Sequence, residues 1–148
     1  MTIAVDFDGT IVEHRYPEIG KERPFATSTL RQLMEDGHRL ILWSCREGDL
    51  LQQAIDWCAE RGVRFYSVNA DLNEDTGDSI ATIKDNPHYS RKLKVDLFID
   101  DRNVGGLPDW GTIYQLITRN CTLEDYLADG QDASYNTTST RGPWWKFW

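Results

Sequence analysis

Apolar positions in this chain gather into short unbroken runs, and between the runs they recur every three to four residues. That is the alternation of buried strands with amphipathic helices. The first run closes in Ala4-Val5-Asp6-Phe7-Asp8-Gly9-Thr10, and a polar segment from residue 11 to Pro24 follows without helical period. Pro24 suits a first helical turn, and Phe25, Leu30, Leu33 and Met34 recur at helical spacing until Gly37 supplies a stop. His38 to Ser44 is a second run, apolar on both faces as parallel strands covered by helices are. A second helix starts near Asp49, carries Leu51, Ile55 and Cys58 on one stripe and ends before Gly62, and Val63 to Val68 reads as a third strand.

Between Asn69 and Ser90 the pattern lapses into polar residues with Ile80 and Ile83 as its apolar trace, a loop with a helical turn. Lys94 to Asp101 is the next strand and again ends in acid. Residues 105 to 108 are loop, Thr112 to Ile117 is a last strand or a helix start, and Leu123 to Leu127 is a short helix. The series predicts an α/β fold, a doubly wound, Rossmann-like parallel sheet with helices on both faces. Neither 11 to 24 nor 69 to 90 is long enough for a large cap domain. One domain is expected over residues 1 to 129, then a polar arm and an aromatic tail over 130 to 148, with Trp144, Trp145, Phe147 and Trp148 covering apolar surface on the domain or on another subunit.

Composition narrows the function. With 148 residues the chain suits one sizeable core, and a net charge of -8 argues against a duplex-binding surface, which needs clustered Lys and Arg. No signal peptide or membrane-spanning run is visible, and Cys45, Cys58 and Cys121 match no zinc or redox spacing, so a cytoplasmic location is expected.

The chemistry sits at the strand ends. Asp6 and Asp8, two apart on a strand, point the same way if the extended geometry persists. Gly9 allows a tight turn whose N–H groups can meet an anion. Two carboxylates this close repel unless a cation or a proton sits between them, and a hard divalent ion such as Mg2+ is the natural neutraliser. As an isolated motif, Asp-x-Asp-Gly is equally an ordinary strand end and turn. Three runs ending at Asp6, Ser44 and Asp100 bring polar groups to the carboxyl edge of the predicted sheet, where such folds bind ligands.

Asp6-Phe7-Asp8-Gly9-Thr10, Ser44 after a second strand, a lysine, and Asp100-Asp101 after another strand together resemble the four-motif series of the haloacid dehalogenase superfamily. The stretch through Trp110 is also similar to small uncharacterised hydrolases of that type from Bacteroides-like bacteria. The resemblance implies a Mg2+-dependent phosphatase acting on a small or larger phosphorylated substrate, with phosphotransferase activity or non-catalytic phosphate or partner binding as alternatives. It implies Asp6 as nucleophile, Asp8 as proton donor and acceptor with its carbonyl on the metal, and Ser44 and Lys92 completing the catalytic set. Gly9, Thr10, Cys45 and Arg46 would contact phosphate or substrate, and Asp6, Asp8, Asp100 and Asp101 would hold Mg2+. The lysine has three candidates, Lys84, Lys92 and Lys94; Lys92 has the matching distance to the acidic pair. Asp101 is taken as the direct ligand and Asp100 as its supporting partner, roles that can be exchanged.

His14, Arg46 and Arg102 leave strand ends as candidates for substrate contact, against the plainer roles of balancing nearby acids for the two arginines and of a ring packed on the flap for His14. Asn69 and Asp71 are weaker pocket candidates. Cys58 to Arg64 spells the Cys-x5-Arg of cysteine-dependent phosphatases, but Cys58 falls on a helix stripe beside Glu60, where its thiol reads as a small buried hydrophobe.

Overall fold

The computed structural model describes residues 1–71 and 92–131. It divides into two compact units, Met1–Leu107 and Pro108–Trp148. The first contains β1 (Thr2–Val5), α1 (Ala26–Glu35), β2 (Arg39–Leu42), α2 (Gly48–Glu60), β3 (Ser67–Val68) and β4 (Leu97–Ile99). All strand pairs are parallel, in the order β3-β2-β1-β4. This is the expected Rossmann-like α/β sheet flanked by helices. The chain moves outward from β1 to β3 and then returns to the other side of β1, so the strand order reverses between β1 and β4. In open parallel sheets that reversal opens a crevice at the carboxyl edge.

Side-chain alternation divides the apolar residues between the two faces. On one, Ala4, Ile41 and Leu93 are buried with Trp43, Val95 and Phe98 packed against them. On the other, Phe7 meets Trp57 of α2 edge to face at 5.7 Å. Helices α1 and α2 are joined where Arg31 Nη1 donates to the Arg61 carbonyl at 2.7 Å. The apolar runs around Val5 and Ile41 are continuous because both faces of these strands are covered.

Several boundaries differ from expectation for identifiable reasons. Helix α1 begins at Ala26, and Phe25 is its N-cap, with φ of 66° and 74% of its surface exposed, so it does not belong to the buried stripe. Glu22 does the capping from outside the helix, its carboxylate accepting from the Thr27 backbone N–H at 3.0 Å and from the Thr27 hydroxyl. The third strand shortens to Ser67–Val68, although Tyr66 N–H already donates to the Leu40 carbonyl at 2.7 Å. The fourth shortens to Leu97–Ile99.

Residues 11 to 24 form a short flap. Ile11 and Val12 are buried at its base, and its legs are joined by Glu13 N–H to the Lys21 carbonyl at 2.8 Å and Arg23 N–H to the Ile11 carbonyl at 2.9 Å. The other expected insertion, most of 69 to 90, lies outside the described residues, as do the aromatic tail and nearly all of the polar arm.

In the second unit, α3 (Trp110–Arg119) settles the open choice at residues 112 to 117 as helix, because Asp109 caps it by accepting from Thr112 N–H at 3.0 Å. Helix α4 (Leu123–Gln131) starts in a reciprocal capping box, in which Thr122 and Asp125 each accept the other's backbone N–H. Among the described residues no helix is long and apolar enough to cross a membrane.

A non-glycine residue in the left-handed region carries strain that a better-suited residue relieves. Phe25→Asn is expected to stabilise the protein by about 0.5–1 kcal/mol, since Asn tolerates this conformation and the exposed ring has little packing to lose. Denaturant melts of the two proteins check this.

Candidate active site

β1 hydrogen-bonds β4 in a register that sets Val5 beside Ile99, and Asp6 N–H continues the ladder to the Ile99 carbonyl at 2.9 Å. One residue further on, Asp6 and Asp100-Asp101 therefore stand on the two sides of the crevice. Carboxylate oxygens of Asp6, Asp100 and Asp101 lie within 4.8 Å of one another. The convergence expected from the strand ends is present.

Thr10 holds this cluster together. Its Oγ1 lies 3.0 Å from Asp6 Oδ2 and 3.4 Å from Asp101 Oδ1, and it accepts the Asp101 backbone N–H at 3.0 Å. The hydroxyl is fully buried and committed to the acids, so Thr10 orders the cluster where a contact to substrate was expected. The anion-binding turn also needs correction. Gly9 N–H donates to the Val12 carbonyl at 2.8 Å, and the N–H groups of Thr10, Ile11 and Val12 all point to the Phe7 carbonyl, which leaves these amides closing the turn on itself. Gly9 is required for another reason: at φ of +91°, a Cβ there would run into the Asp101 carboxylate.

Burial raises the Asp6 carboxyl to about 7, with Asp100 and Asp101 adding repulsion, against hydrogen bonds from the Thr10 hydroxyl and the Phe7 backbone that lower it. Asp100 Oδ1 accepts Arg102 N–H at 2.8 Å, which fixes its orientation. A divalent ion with oxygen ligands at about 2.1 Å spans about 4.2 Å between opposite ligands, a span comparable to the separations within this cluster. Three carboxylates offering oxygen atoms this close together suit a hard cation.

Ser44 lies at the end of β2 on the same edge. Its N–H donates to Asn69 Oδ1 at 2.8 Å, and its Oγ accepts Arg46 N–H at 3.2 Å. Asn69, in the left-handed region at φ of 53°, thus positions the Ser44 loop. Asp71 is buried and accepts Lys94 N–H at 2.6 Å, which links two segments of the chain. Lys92 Nζ stands 5.6 Å from the centre of the Phe98 ring, two residues before Asp100 on the same side of β4. Lys84 lies outside the described residues.

Of the two roles open to Arg46, substrate contact and balancing nearby charge, the structure shows the second. Arg46 is turned inward and 1% exposed, with Nε and Nη2 donating to Asp8 Oδ2 and Oδ1 at 2.7 and 2.8 Å. Asp8 therefore does not join the three-carboxylate cluster; its carboxylate faces Arg46. The sequence showed both residues but not their pairing, since an arginine two positions past a strand gives no sign of which way it folds. Cys45, His14 and Arg102 are exposed. Cys58 is buried on α2 and its thiol is pushed up to about 12, so it is no thiolate nucleophile.

Fold and site together define a parallel α/β protein with a three-carboxylate centre at its strand-order reversal. A solved structure, that of a conserved protein coded by a locus of Bacteroides thetaiotaomicron, matches 85% of this chain and 96% of its own at 59% sequence identity, with a TM-score of 0.73. The chain belongs to the family of that conserved protein. No family model and no curated protein matches it.

A cation held by this cluster would compete with the proton for Asp6. Divalent affinity, measured by calorimetry, is expected to fall about tenfold for each pH unit below 7 and to level off above it. Because the folded-state value is raised, this carboxyl favours the metal-free fold at pH below its ordinary 3.8, and that contribution is lost as pH rises through 7. Added cation should therefore raise the melting temperature more at pH 8 than at pH 6. Gly9→Ala is expected to weaken cation binding by about 10-fold or more by displacing Asp101.

Proposed function

We propose that this protein is a Mg2+-dependent phosphate-monoester hydrolase of the haloacid dehalogenase type, working through an aspartyl phosphate on Asp6. The observation that carries the proposal is the convergence of Asp6, Asp100 and Asp101 at the carboxyl edge of β1 and β4. Three carboxylates brought this close, two of them meeting the Thr10 hydroxyl, form a group that a divalent cation would neutralise. The ordered series Asp6-x-Asp8, Ser44, Lys92, Asp100-Asp101 supplies the other groups such a reaction needs.

Bound by the carboxylates of Asp6, Asp100 and Asp101 and by the Asp8 carbonyl, Mg2+ would shield phosphate charge and let an anionic nucleophile approach. In the first half-reaction an Asp6 oxygen forms a bond to phosphorus while the bond from phosphorus to the ester oxygen breaks. The departing oxygen keeps that electron pair and takes a proton from Asp8. In the second, a water oxygen bonds to phosphorus, its proton passes to Asp8, and the bond to Asp6 breaks to restore the carboxylate and release orthophosphate. The Ser44 hydroxyl and the Lys92 ammonium are assigned to the transferring phosphoryl oxygens. Burial of Asp6 removes the water that would otherwise solvate the nucleophile.

Hydrolysis of an aryl phosphate with and without Mg2+ tests this. Activity is expected only with the metal, absent in Asp6→Asn and reduced about 10²–10⁴-fold in Asp8→Asn. Turnover that survives Asp6→Asn would remove the nucleophile, and phosphate binding without turnover in the wild type would leave a binding domain.

A further inference from the structure

Arg46 is a charged side chain buried as deeply as the apolar core. A guanidinium withdrawn from water is tolerated where its N–H groups find acceptors, and here they find four. Besides the two-pronged pair with Asp8, Nη1 donates to the Pro17 carbonyl and Nη2 to the Glu18 carbonyl, both at 2.9 Å. Its planar group also stands 5.2 Å from the Phe7 ring centre and 5.4 Å from that of Tyr16. Arg46 thereby joins three segments: the loop after β2, the turn after β1, and the tip of the flap.

An ionised carboxylate has about four lone-pair sites, so after accepting one N–H on each oxygen Asp8 can still accept from another donor. The Asp8 side chain is 12% exposed, which leaves it an approach from the solvent side. Paired in this way, it is held at one place and in one orientation as an acceptor.

We propose that Arg46 is the positioning residue for Asp8, holding its carboxylate in place to take the proton of the water that releases phosphate from Asp6. The inference rests on the hydrolase reading and concerns its second half-reaction. There the water oxygen bonds to phosphorus, the bond from Asp6 to phosphorus breaks with its electrons returning to the carboxylate, and the water proton goes to Asp8. Attack by Asp6 on an aryl phosphate with an acidic phenol needs no proton donor, so loss of Arg46 slows breakdown of the phosphoprotein more than its formation.

The test is rapid-quench kinetics on full-length Mg2+-loaded protein with such an aryl phosphate, comparing wild type, Arg46→Lys, Arg46→Met, Asp8→Asn and Arg46→Lys/Asp8→Asn. In the Arg46 variants the first phenol release per site should stay within about twofold of wild type. Steady-state turnover should fall at least about tenfold, phosphoprotein should accumulate, and Lys should retain more turnover than Met. The double variant should be no slower than Asp8→Asn. A first phase and a steady state that fall together would mark Arg46 as purely structural and overturn the proposal, as would independent, multiplying losses in the double variant. Faster turnover would overturn it too, by showing that Arg46 restrains Asp8. The first phase counts only folded sites, and if Arg46→Met does not fold, Arg46→Lys decides. Absence of Mg2+-dependent phenol release in the wild type would instead strike the hydrolase reading itself, without reference to any variant.

Discussion

Three carboxylates facing one another across a strand pair is an arrangement that repulsion opposes, and the first unit is built to impose it. Parallel pairing of β1 with β4 fixes Asp6 opposite the acidic pair, because the ladder runs through the Asp6 N–H to Ile99 before either side can diverge. Thr10, buried between them, gives Asp6 and Asp101 a common hydroxyl partner. The missing side chain at Gly9 leaves the room Asp101 occupies. Burial lifts the Asp6 carboxyl to about 7, and repulsion from Asp100 and Asp101 adds to it.

A second arrangement of opposite character lies beside the first. Where Asp6, Asp100 and Asp101 gather three carboxylates, Asp8 is balanced by Arg46 through both oxygens. Two aspartates separated by one residue are thus given different surroundings, one among carboxylates and one held by a guanidinium. Different environments for paired carboxyl groups are how acid, base and nucleophile roles are separated in other sites. The same arginine secures the flap through the carbonyls of Pro17 and Glu18, so the order of the flap and the placement of Asp8 are one structural problem.

The family relationship rests on 59% identity to the solved Bacteroides thetaiotaomicron protein over 96% of that chain. No function follows from that relationship. What bears on function is the geometry of the strand ends, together with the ordered motif series.

By itself the sequence determined the alternation of strands and helices, because covered parallel strands must be apolar on both faces and helices must repeat with their own period. It also determined that Asp6, Ser44 and Asp100 end strands, since polarity changes abruptly at each. Local pattern could not say where α1 begins, as Phe25 looks apolar and helical yet is an exposed left-handed cap relieved by Glu22. Nor could it say that Asn69 serves Ser44, that the Gly9 turn spends its amides on itself, or that Arg46 turns inward to Asp8. Those outcomes depend on which groups from distant segments arrive together, and a buried donor or acceptor takes whichever partner the tertiary fold delivers.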